Sequence, residues 1–356
     1  MQYRSIVALA ATLSLLPVSA QAAPRPALAA AVHQMVADGF TATVVRVRDD
    51  DRVVSLAAGV ADVRTGAPAR TGDRFRIASN TKSFVAVVVL QLEAAGLLSI
   101  EDSAARWVPG LDPRITLRQL LNHTSGLYDP TEERSFWKPY LDDDHRGYVY
   151  TPDRVIRMAL AHGPTGEPGA AYKYSNTGYL VLGKVIERVT RHSPVTEIQR
   201  RLLDPLGLHD TYFPVLDPVL HGPHLHGYDM STPMRDMTTF SPSYDWTAGA
   251  MVSTVEDLAR FHEALFAGRL LPAAQQEELL TGNLGIERMP SPCGGVLVGQ
   301  TGAGPGYTSM SLSTEDGKRQ LVLVGTRFDV AKEIADEPPL PTGDGSRQVL
   351  SAAFCP

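Results

Sequence analysis

The sequence has few cysteines, few lysines and no excess of basic charge. Two of the 356 residues are cysteine and six are lysine, so each lysine is a candidate for a specific role. Acidic residues outnumber basic ones by 39 to 33, and the net charge of −6 disfavours nucleic acid or an anionic membrane as the main partner. Charged residues make up 20% and apolar residues 44%, a globular balance that argues against disorder.

Long apolar runs are absent beyond the N-terminus, which has the layout of a secretory signal peptide. Arg4 precedes an apolar stretch over Ile6–Val18, and Ala20-Gln21-Ala22 is a small-x-small cleavage site. This stretch is shorter than the roughly 20 residues that span a bilayer. We expect residues 1–22 to be removed and the mature protein to be secreted, with no membrane anchor. A buried N-terminal helix is the alternative.

Export would place the two cysteines in an oxidising compartment. In an oxidising compartment Cys293 and Cys355 are expected to form a disulfide, which ties the C-terminal tail to an earlier segment. By the chain-entropy estimate such a bridge stabilises the fold by about 4 kcal/mol at most. Two unpaired buried thiols are the alternative.

Hydrophobic periodicity predicts one sheet built from both ends of the chain, with a helical insertion. Strands are predicted at Thr41–Arg48, Arg52–Gly59, Val296–Gly299, Tyr307–Ser313 and Gln320–Thr326. Helices are predicted at Pro26–Asp38, Ser83–Ala95, Leu117–Leu121, Asp153–Ala161, Asn176–Thr190, Val195–Leu203 and Gly345–Phe354. We therefore divide a single domain into an α/β sheet lobe (residues 24–80 and 247–356) and a mainly α-helical lobe (residues 81–246).

Several common catalytic motifs are missing from the sequence. The chain has no G-x-S-x-G elbow, no H-E-x-x-H zinc helix and no phosphate-binding G-x-x-x-x-G-K-[ST] loop. It does have Ser79-x-x-Lys82, and residues three apart on a helix share one face. The helix that follows is apolar on nearly every face, so desolvation should lower the pKa of Lys82 and make its amine a base for Ser79.

This motif is weak when taken alone. A second pair, Ser135-x-x-Lys138, occurs in sequence that reads as a loop without a buried helix behind it. Two further motifs strengthen the first: Tyr174-Ser175-Asn176, and Gln300-Thr301-Gly302. A tyrosine beside a lysine can move a proton, and an asparagine amide can hold a substrate amide. A packed tyrosine at a helix start is the alternative.

The three motifs, in this order and spacing, resemble the class C branch of the serine β-lactamase and penicillin-binding-protein family. The resemblance extends over almost the whole mature chain, including LLNHTSGL, EPGAAYKYSNTGYLVLGKVIE, PLGLHDT, AGAMVSTVEDLARF and GQTGAGPGYTS. It is greatest to exocellular D-alanyl-D-alanine carboxypeptidases. It implies an α/β (α+β) fold in which an antiparallel sheet is flanked by N- and C-terminal helices, with the active site between the sheet and an all-α lobe.

The resemblance also implies roles for individual residues. Ser79 is the acylated nucleophile, Lys82 accepts its proton, Tyr174 passes a proton to the leaving amine, and Asn176 holds the substrate amide. The backbone N–H groups of Ser79 and Ala303 form the oxyanion hole. In the related carboxypeptidases the corresponding cysteines are joined.

Further positions match residues that bind substrate or line the cleft in the relatives. Thr301 is expected to line the site from a strand edge. Thr131 and Trp246 are expected to line the cleft as well, with simple packing as the alternative for each.

Two departures from the family pattern affect recognition of a substrate carboxylate. The third motif begins with Gln300, where the family has lysine or histidine; Gln300 is expected to hydrogen-bond the substrate but supplies no charge. Glu287 stands where the carboxypeptidases carry an arginine that reads the terminal carboxylate, and it would repel that group. Arg288 can take the role only if the register shifts by one residue.

These observations predict a secreted serine hydrolase acting on D-configured peptides of the peptidoglycan type, penicillin-binding and of the D-Ala-D-Ala carboxypeptidase/transpeptidase class. Altered carboxylate recognition is expected to shift activity toward amides, esters or D-aminopeptides. An esterase, amidase, D-aminopeptidase or peptide cyclase is the first alternative, and a penicillin-binding sensor without turnover is the second. A β-lactamase is disfavoured but stays open. We expect β-lactams to acylate the protein. We also expect the protein to be a monomer and to need no metal or organic cofactor.

Overall fold

The computed structural model describes residues 25–142, 144–231, 233–341 and 343–355. Its strands are β1 (Ala42–Asp49), β2 (Arg52–Asp62), β3 (Ala67–Pro68), β4 (Phe75–Arg76), β5 (Tyr228–Asp229), β6 (Arg235–Asp236), β7 (Val252–Ser253), β8 (Glu287–Pro290), β9 (Val296–Gly304), β10 (Tyr307–Thr314) and β11 (Arg319–Gly325). Seven of these strands form the central antiparallel sheet, in the order β3-β2-β1-β11-β10-β9-β8. The first and last strands of the chain, β1 and β11, pair directly.

Helices cover both faces of this sheet and form a separate layer beside it. They are α1 (Pro26–Ala37), α2 (Thr81–Ala94), α3 (Leu117–Leu121), α4 (Arg134–Leu141), α5 (Pro152–His162), α6 (Asn176–Thr190), α7 (Pro194–Ile198), α8 (Asp204–Leu206), α9 (Trp246–Gly249), α10 (Val255–Phe266), α11 (Ala273–Gly282), α12 (Val330–Ile334) and α13 (Gly345–Phe354). The terminal helices α1 and α13 pack together on one sheet face, and α10 packs on the other.

Helix α2 is the structural centre of the helical layer. Its residues from Thr81 to Leu90 are all buried, as its uniformly apolar sequence predicts. It contacts α6, α7 and α9 and is preceded by a 3₁₀ turn over Ala78–Asn80. That turn touches β9 and β10, so Ser79 lies where the helical layer meets the sheet.

The predicted fold class is confirmed, and most predicted elements are present within a few residues of their expected bounds. Strand β9 runs to Gly304, five residues beyond its predicted end, and β8 was not predicted. The disulfide joins Cys293 to Cys355. The predicted signal peptide lies outside the described residues, and the boundary between the lobes stays a prediction. Across the described ranges, every helix is too short or too polar to cross a membrane.

Candidate active site

Ser79 stands at the entrance to α2, on a backbone that the fold holds in an unusual conformation. The preceding residue, Ala78, has φ = 45°, a region that residues with a Cβ rarely adopt. Such strain persists only where the surroundings impose it, and it concentrates at functional sites. The half-buried side chain of Ser79 faces a cleft between the helical layer and β9.

Lys82 is completely buried one turn later, and its Nζ makes three hydrogen bonds. It donates to Ser79 Oγ (3.0 Å), Asn176 Oδ1 (2.7 Å) and the carbonyl oxygen of Ala248 (2.8 Å). Burial lowers the pKa of Lys82 to about 8, against the opposing pull of Asp245 and other carboxylates. A substantial fraction of this amine is therefore neutral near physiological pH, and it can accept the Ser79 proton.

Tyr174 lies on the other side of the nucleophile. Its hydroxyl is 2.6 Å from Ser79 Oγ, and Lys82 Nζ lies 4.8 Å from the centre of its ring. Burial raises the pKa of Tyr174 well above its ordinary value of 10. The phenol thus keeps its proton in the resting site, and Tyr174 is a proton donor rather than the initial base.

His123 holds the segment that carries Tyr174. Its ring stacks on that of Tyr174 with centroids 4.3 Å apart, and Nδ1 accepts the backbone N–H of Ser175. Burial lowers the pKa of His123 to about 3, so the ring is neutral and available as an acceptor. We assign it a positioning role.

Asn176 begins α6, and its position is set by two residues at the 3₁₀ turn over Pro130–Glu132. Its backbone N–H donates to Asp129 Oδ2 (2.7 Å), and its side-chain nitrogen donates to Thr131 Oγ1 (3.3 Å). Asp129 Oδ1 in turn accepts from the backbone N–H and hydroxyl of Thr131. Thr131 lies in the cleft, where the sequence analysis expects it.

Strand β9 forms the opposite wall of the cleft. Strand β8 pairs with it only as far as Gly299, so the edge from Gln300 to Gly304 is not paired with β8. Thr301 and Ala303 line the cleft from this segment. Between them, Gly302 passes so close to the Ser79 turn that a Cβ there would lie 2.3 Å from the carbonyl oxygen of Ile77. The glycine is what allows the strand to approach the nucleophile.

Gln300 and Arg288 are not brought into the cleft. Gln300 is buried behind β9, where its amide nitrogen donates to the Gly285 carbonyl and its oxygen accepts the Thr301 N–H. Arg288 is exposed and pairs with Glu315 in a different groove. Successive side chains of a strand point to opposite faces, so Glu287 faces Thr301 in the cleft and Arg288 points away. The expectations that Gln300 and Arg288 bind substrate are therefore corrected.

Trp246 is also placed differently from the expectation. It begins α9 and is buried against Gly183 and Lys184 rather than lining the cleft. Its neighbour Tyr244 takes the wall position, together with Trp137.

The segment around Ser135 and Lys138 is a short helix, α4, and not a loop. Both of these side chains are exposed, whereas Trp137 between them lines the cleft. No motif signal marks Trp137; its contribution depends on how α4 faces α12 across the cleft.

The cleft is acidic, which was not predicted from the sequence. Six carboxyl groups line it, and apart from Lys82 at its floor no lysine, arginine or histidine does so in the described ranges; the carboxyl groups are those of Asp129, Glu132, Asp245, Glu287, Glu333 and Asp336. These residues are too far apart in sequence to form a motif. Within the part of the chain that the structure describes, no group of three or more His, Cys, Asp or Glu residues is arranged to hold a metal.

Comparisons with known proteins agree with this geometry. The family described as Beta-lactamase matches residues 28–333. Penicillin-binding protein 4* of Bacillus subtilis is 28% identical over 314 residues, which cover 81% of this chain and 68% of that protein.

Two solved structures are similar over most of their length. A D-stereospecific amidohydrolase from Streptomyces sp. is 32% identical, with a TM-score of 0.83 and coverage of 94% of this chain and 99% of that one. A D-amino acid amidase from Ochrobactrum anthropi SV3, in complex with D-phenylalanine, is 25% identical, with a TM-score of 0.78 and coverage of 92% and 98%. With a family match over most of its length and a Ser79–Lys82–Tyr174 group in its cleft, the chain belongs to the β-lactamase family of serine hydrolases.

Proposed function

We propose that this protein hydrolyses amide bonds of D-configured amino acid derivatives through an acyl-enzyme on Ser79. The observation that carries the proposal is the hydrogen-bonded group in which Ser79 Oγ lies 3.0 Å from Lys82 Nζ and 2.6 Å from the Tyr174 hydroxyl. The similarity to a D-stereospecific amidohydrolase and a D-amino acid amidase supports the choice of D-configured substrates.

Acylation uses these three side chains in sequence. Neutral Lys82 takes the proton of the Ser79 hydroxyl as Oγ attacks the carbonyl carbon of the substrate. The carbonyl oxygen becomes an oxyanion that accepts hydrogen bonds from the backbone N–H groups of Ser79 and Ala303. Tyr174 donates its proton to the leaving nitrogen as the C–N bond breaks, and Lys82 returns the proton to restore Tyr174.

Deacylation repeats the scheme with water as the nucleophile. Water attacks the ester carbon, its proton passes to the neutral base, and the bond to Ser79 Oγ breaks with return of a proton to that oxygen. Asn176 is hydrogen-bonded to Lys82 and to Asp129. It thereby holds the substrate amide and Lys82 in a fixed position relative to each other.

The charge of the cleft favours amides over free acids. The Glu287 carboxylate, hydrogen-bonded to Thr301 Oγ1 (3.1 Å), occupies the leaving-group end of the cleft, and Arg288 points away from it. A substrate ending in a carboxylate would meet like charge there. Strict D-Ala-D-Ala carboxypeptidase activity is therefore disfavoured, although the acyl-transfer residues are in place.

The test compares D-alanyl-D-alanine peptides that end in a free acid with the same peptides as C-terminal amides, alongside D- and L-phenylalanine amide. We expect preference for the amides and for the D isomers, with no turnover by Ser79→Ala. Glu287→Gln should reduce the preference for the amide peptide. A strong preference of the wild type for the free acid contradicts the proposal.

A fluorescent penicillin separates the remaining functions. Label that persists on Ser79, without turnover of any amide, indicates a sensor. Rapid loss of label indicates a β-lactamase. Ester hydrolysis without amide hydrolysis indicates an esterase.

A further inference from the structure

Asp245 differs from Asp129, Glu132 and Glu287 because its carboxyl group has no protein partner in the described part of the chain. Asp129 accepts three hydrogen bonds, Glu132 pairs with Lys173, and Glu287 accepts from Thr301. The Asp245 carboxyl has neither a hydrogen bond nor an ion pair within the described ranges, although it is half-buried in the cleft. A carboxylate that is partly removed from water and lacks a protein partner is stabilised by a cationic group that enters the cleft.

The fold holds this carboxyl in place. The backbone carbonyl of Asp245 accepts the N–H groups of Ala248 and Gly249, which fixes the turn into α9. The side chain folds over that turn so closely that a Cβ at Gly249 would lie 1.8 Å from Asp245 Oδ2. The same turn presents the Ala248 carbonyl to Lys82.

Asp245 and Glu287 mark opposite ends of the β9 segment that lines the cleft. Thr301, at one end, contacts Glu287, whereas Gly304, at the other, faces Ala78 and Tyr244, the neighbour of Asp245. Three residues of strand separate these ends by roughly 10 Å. Ser79 lines the same cleft as both carboxyl groups, so a substrate held at Ser79 can extend toward one of them in each direction.

We propose that Asp245 binds the α-ammonium group of the acyl donor, so that the protein selects substrates with an unmodified N-terminal D-residue over N-acylated ones. This inference rests on the proposed function, which places Glu287 at the leaving-group end. In such a substrate the ammonium lies on the carbon next to the scissile carbonyl, close to Ser79. An ion pair there satisfies Asp245 and fixes the carbonyl over the nucleophile.

The electrostatics of the site agree with this role. Burial raises the pKa of Asp245 to about 6, so the carboxylate is charged at the pH at which Lys82 begins to lose its proton. The Asp245 charge opposes that loss in the empty cleft. A bound ammonium neutralises the Asp245 charge, and binding of the correct substrate thereby favours the neutral, basic form of Lys82.

The experiment measures discrimination between two acyl donors that share one leaving group. Kcat/KM is determined for D-phenylalanine p-nitroanilide and its N-acetyl derivative, with the wild type, Asp245→Asn and Glu333→Gln. Glu333 is an exposed carboxylate on the rim of the same cleft and controls for a general loss of negative charge. We expect the wild type to prefer the free amine and Asp245→Asn to reduce that preference roughly 10- to 100-fold. Glu333→Gln should leave the ratio unchanged.

Because the readout is a ratio of two kcat/KM values for one enzyme, effects of Asp245→Asn on folding or on Lys82 in the empty cleft cancel. An unchanged ratio in Asp245→Asn, or an equal fall in Glu333→Gln, overturns the proposal. The methyl esters of the same two acyl groups are measured in parallel. If only the esters are hydrolysed, the amidase function fails while the role of Asp245 is still tested; if none of the four compounds is hydrolysed, both fail.

Discussion

The hydroxyl of Tyr174 lies 2.6 Å from Ser79 Oγ, yet burial holds the pKa of this tyrosine well above its ordinary value. The proton between the two oxygens is thus not removed by the phenol in the resting site. Lys82, 3.0 Å from the same Ser79 oxygen and with its pKa lowered to about 8, is the group that titrates in the useful range. The proposed mechanism therefore assigns the proton transfers to a lysine base and a tyrosine donor.

The dependence of kcat/KM on pH should reflect the ionisation of Lys82. Only the neutral amine accepts a proton, so its active fraction grows as the pH rises toward the pKa of about 8. We expect kcat/KM for an N-acylated ester, which has no amine to titrate, to rise about tenfold per pH unit below that value and then to level off. For a D-amino acid amide the same rise should be followed by a fall, as the substrate ammonium that Asp245 is proposed to bind loses its proton. A profile that is flat between pH 6 and 8 contradicts the assignment.

Replacement of Tyr174 tests the donor. Tyr174→Phe removes the proton that reaches the leaving nitrogen and should lower kcat roughly 10²- to 10⁴-fold for amides. Esters, whose alkoxide leaves more readily, should lose less. Tyr172→Phe is the matched control, since this tyrosine is two residues away and 64% exposed. Equal losses in the two variants are incompatible with a specific role for Tyr174.

The close approach of β9 to the nucleophile can be tested with a pair of glycines. Gly302→Ala places a methyl group 2.3 Å from the Ile77 carbonyl, so the turn that carries Ser79 must move. We expect a loss of stability of about 1–3 kcal/mol by thermal denaturation, together with a fall in activity. Gly304→Ala should be tolerated, because its methyl would meet Ala78 Cβ at an ordinary 3.6 Å. A stable and active Gly302→Ala enzyme contradicts this interpretation.

Acid stability should depend on His262. Its Nδ1 is hydrogen-bonded to Ser311, its Nε2 is buried without a partner, and burial lowers its pKa to about 3. The unfolded chain binds this proton near pH 6.5 and the native state does not, so native stability falls as the pH drops from 6.5 toward 3.

The double variant His262→Leu/Ser311→Ala should flatten the dependence of Tm on pH over that range, even if its Tm at neutral pH is lower. His209→Gln, an exposed histidine, should keep the slope of the wild type. An unchanged slope in the double variant excludes His262 as a source of acid sensitivity.

The contacts among Ser79, Lys82 and Tyr174 were predictable because these residues lie in compact motifs at helix starts. Ser79 and Lys82 are one turn apart, and the buried helix behind them is visible as a continuous apolar run. The paired termini were predictable for a similar reason, since β-branched runs occur at both ends of the chain.

The residues expected to contact substrate were harder to predict. Their positions depend on which face of a strand each side chain occupies and on loops that are distant in sequence. Glu287 and Arg288 are neighbours, and only the direction of β8 decides which of them enters the cleft. Trp246 and Tyr244 are two residues apart and both are buried, but the tight turn into α9 places only Tyr244 on the cleft wall. Asp245, Glu333 and Asp336 come together only through tertiary folding.

The direct pairing of β1 with β11 has a consequence for biogenesis. The central sheet cannot close until β11, which ends at Gly325, has been made. A polypeptide that ends before β9 carries Ser79 and Lys82 without the strand that forms the opposite wall of their cleft. On the proposed function, we expect such a fragment to show no activity.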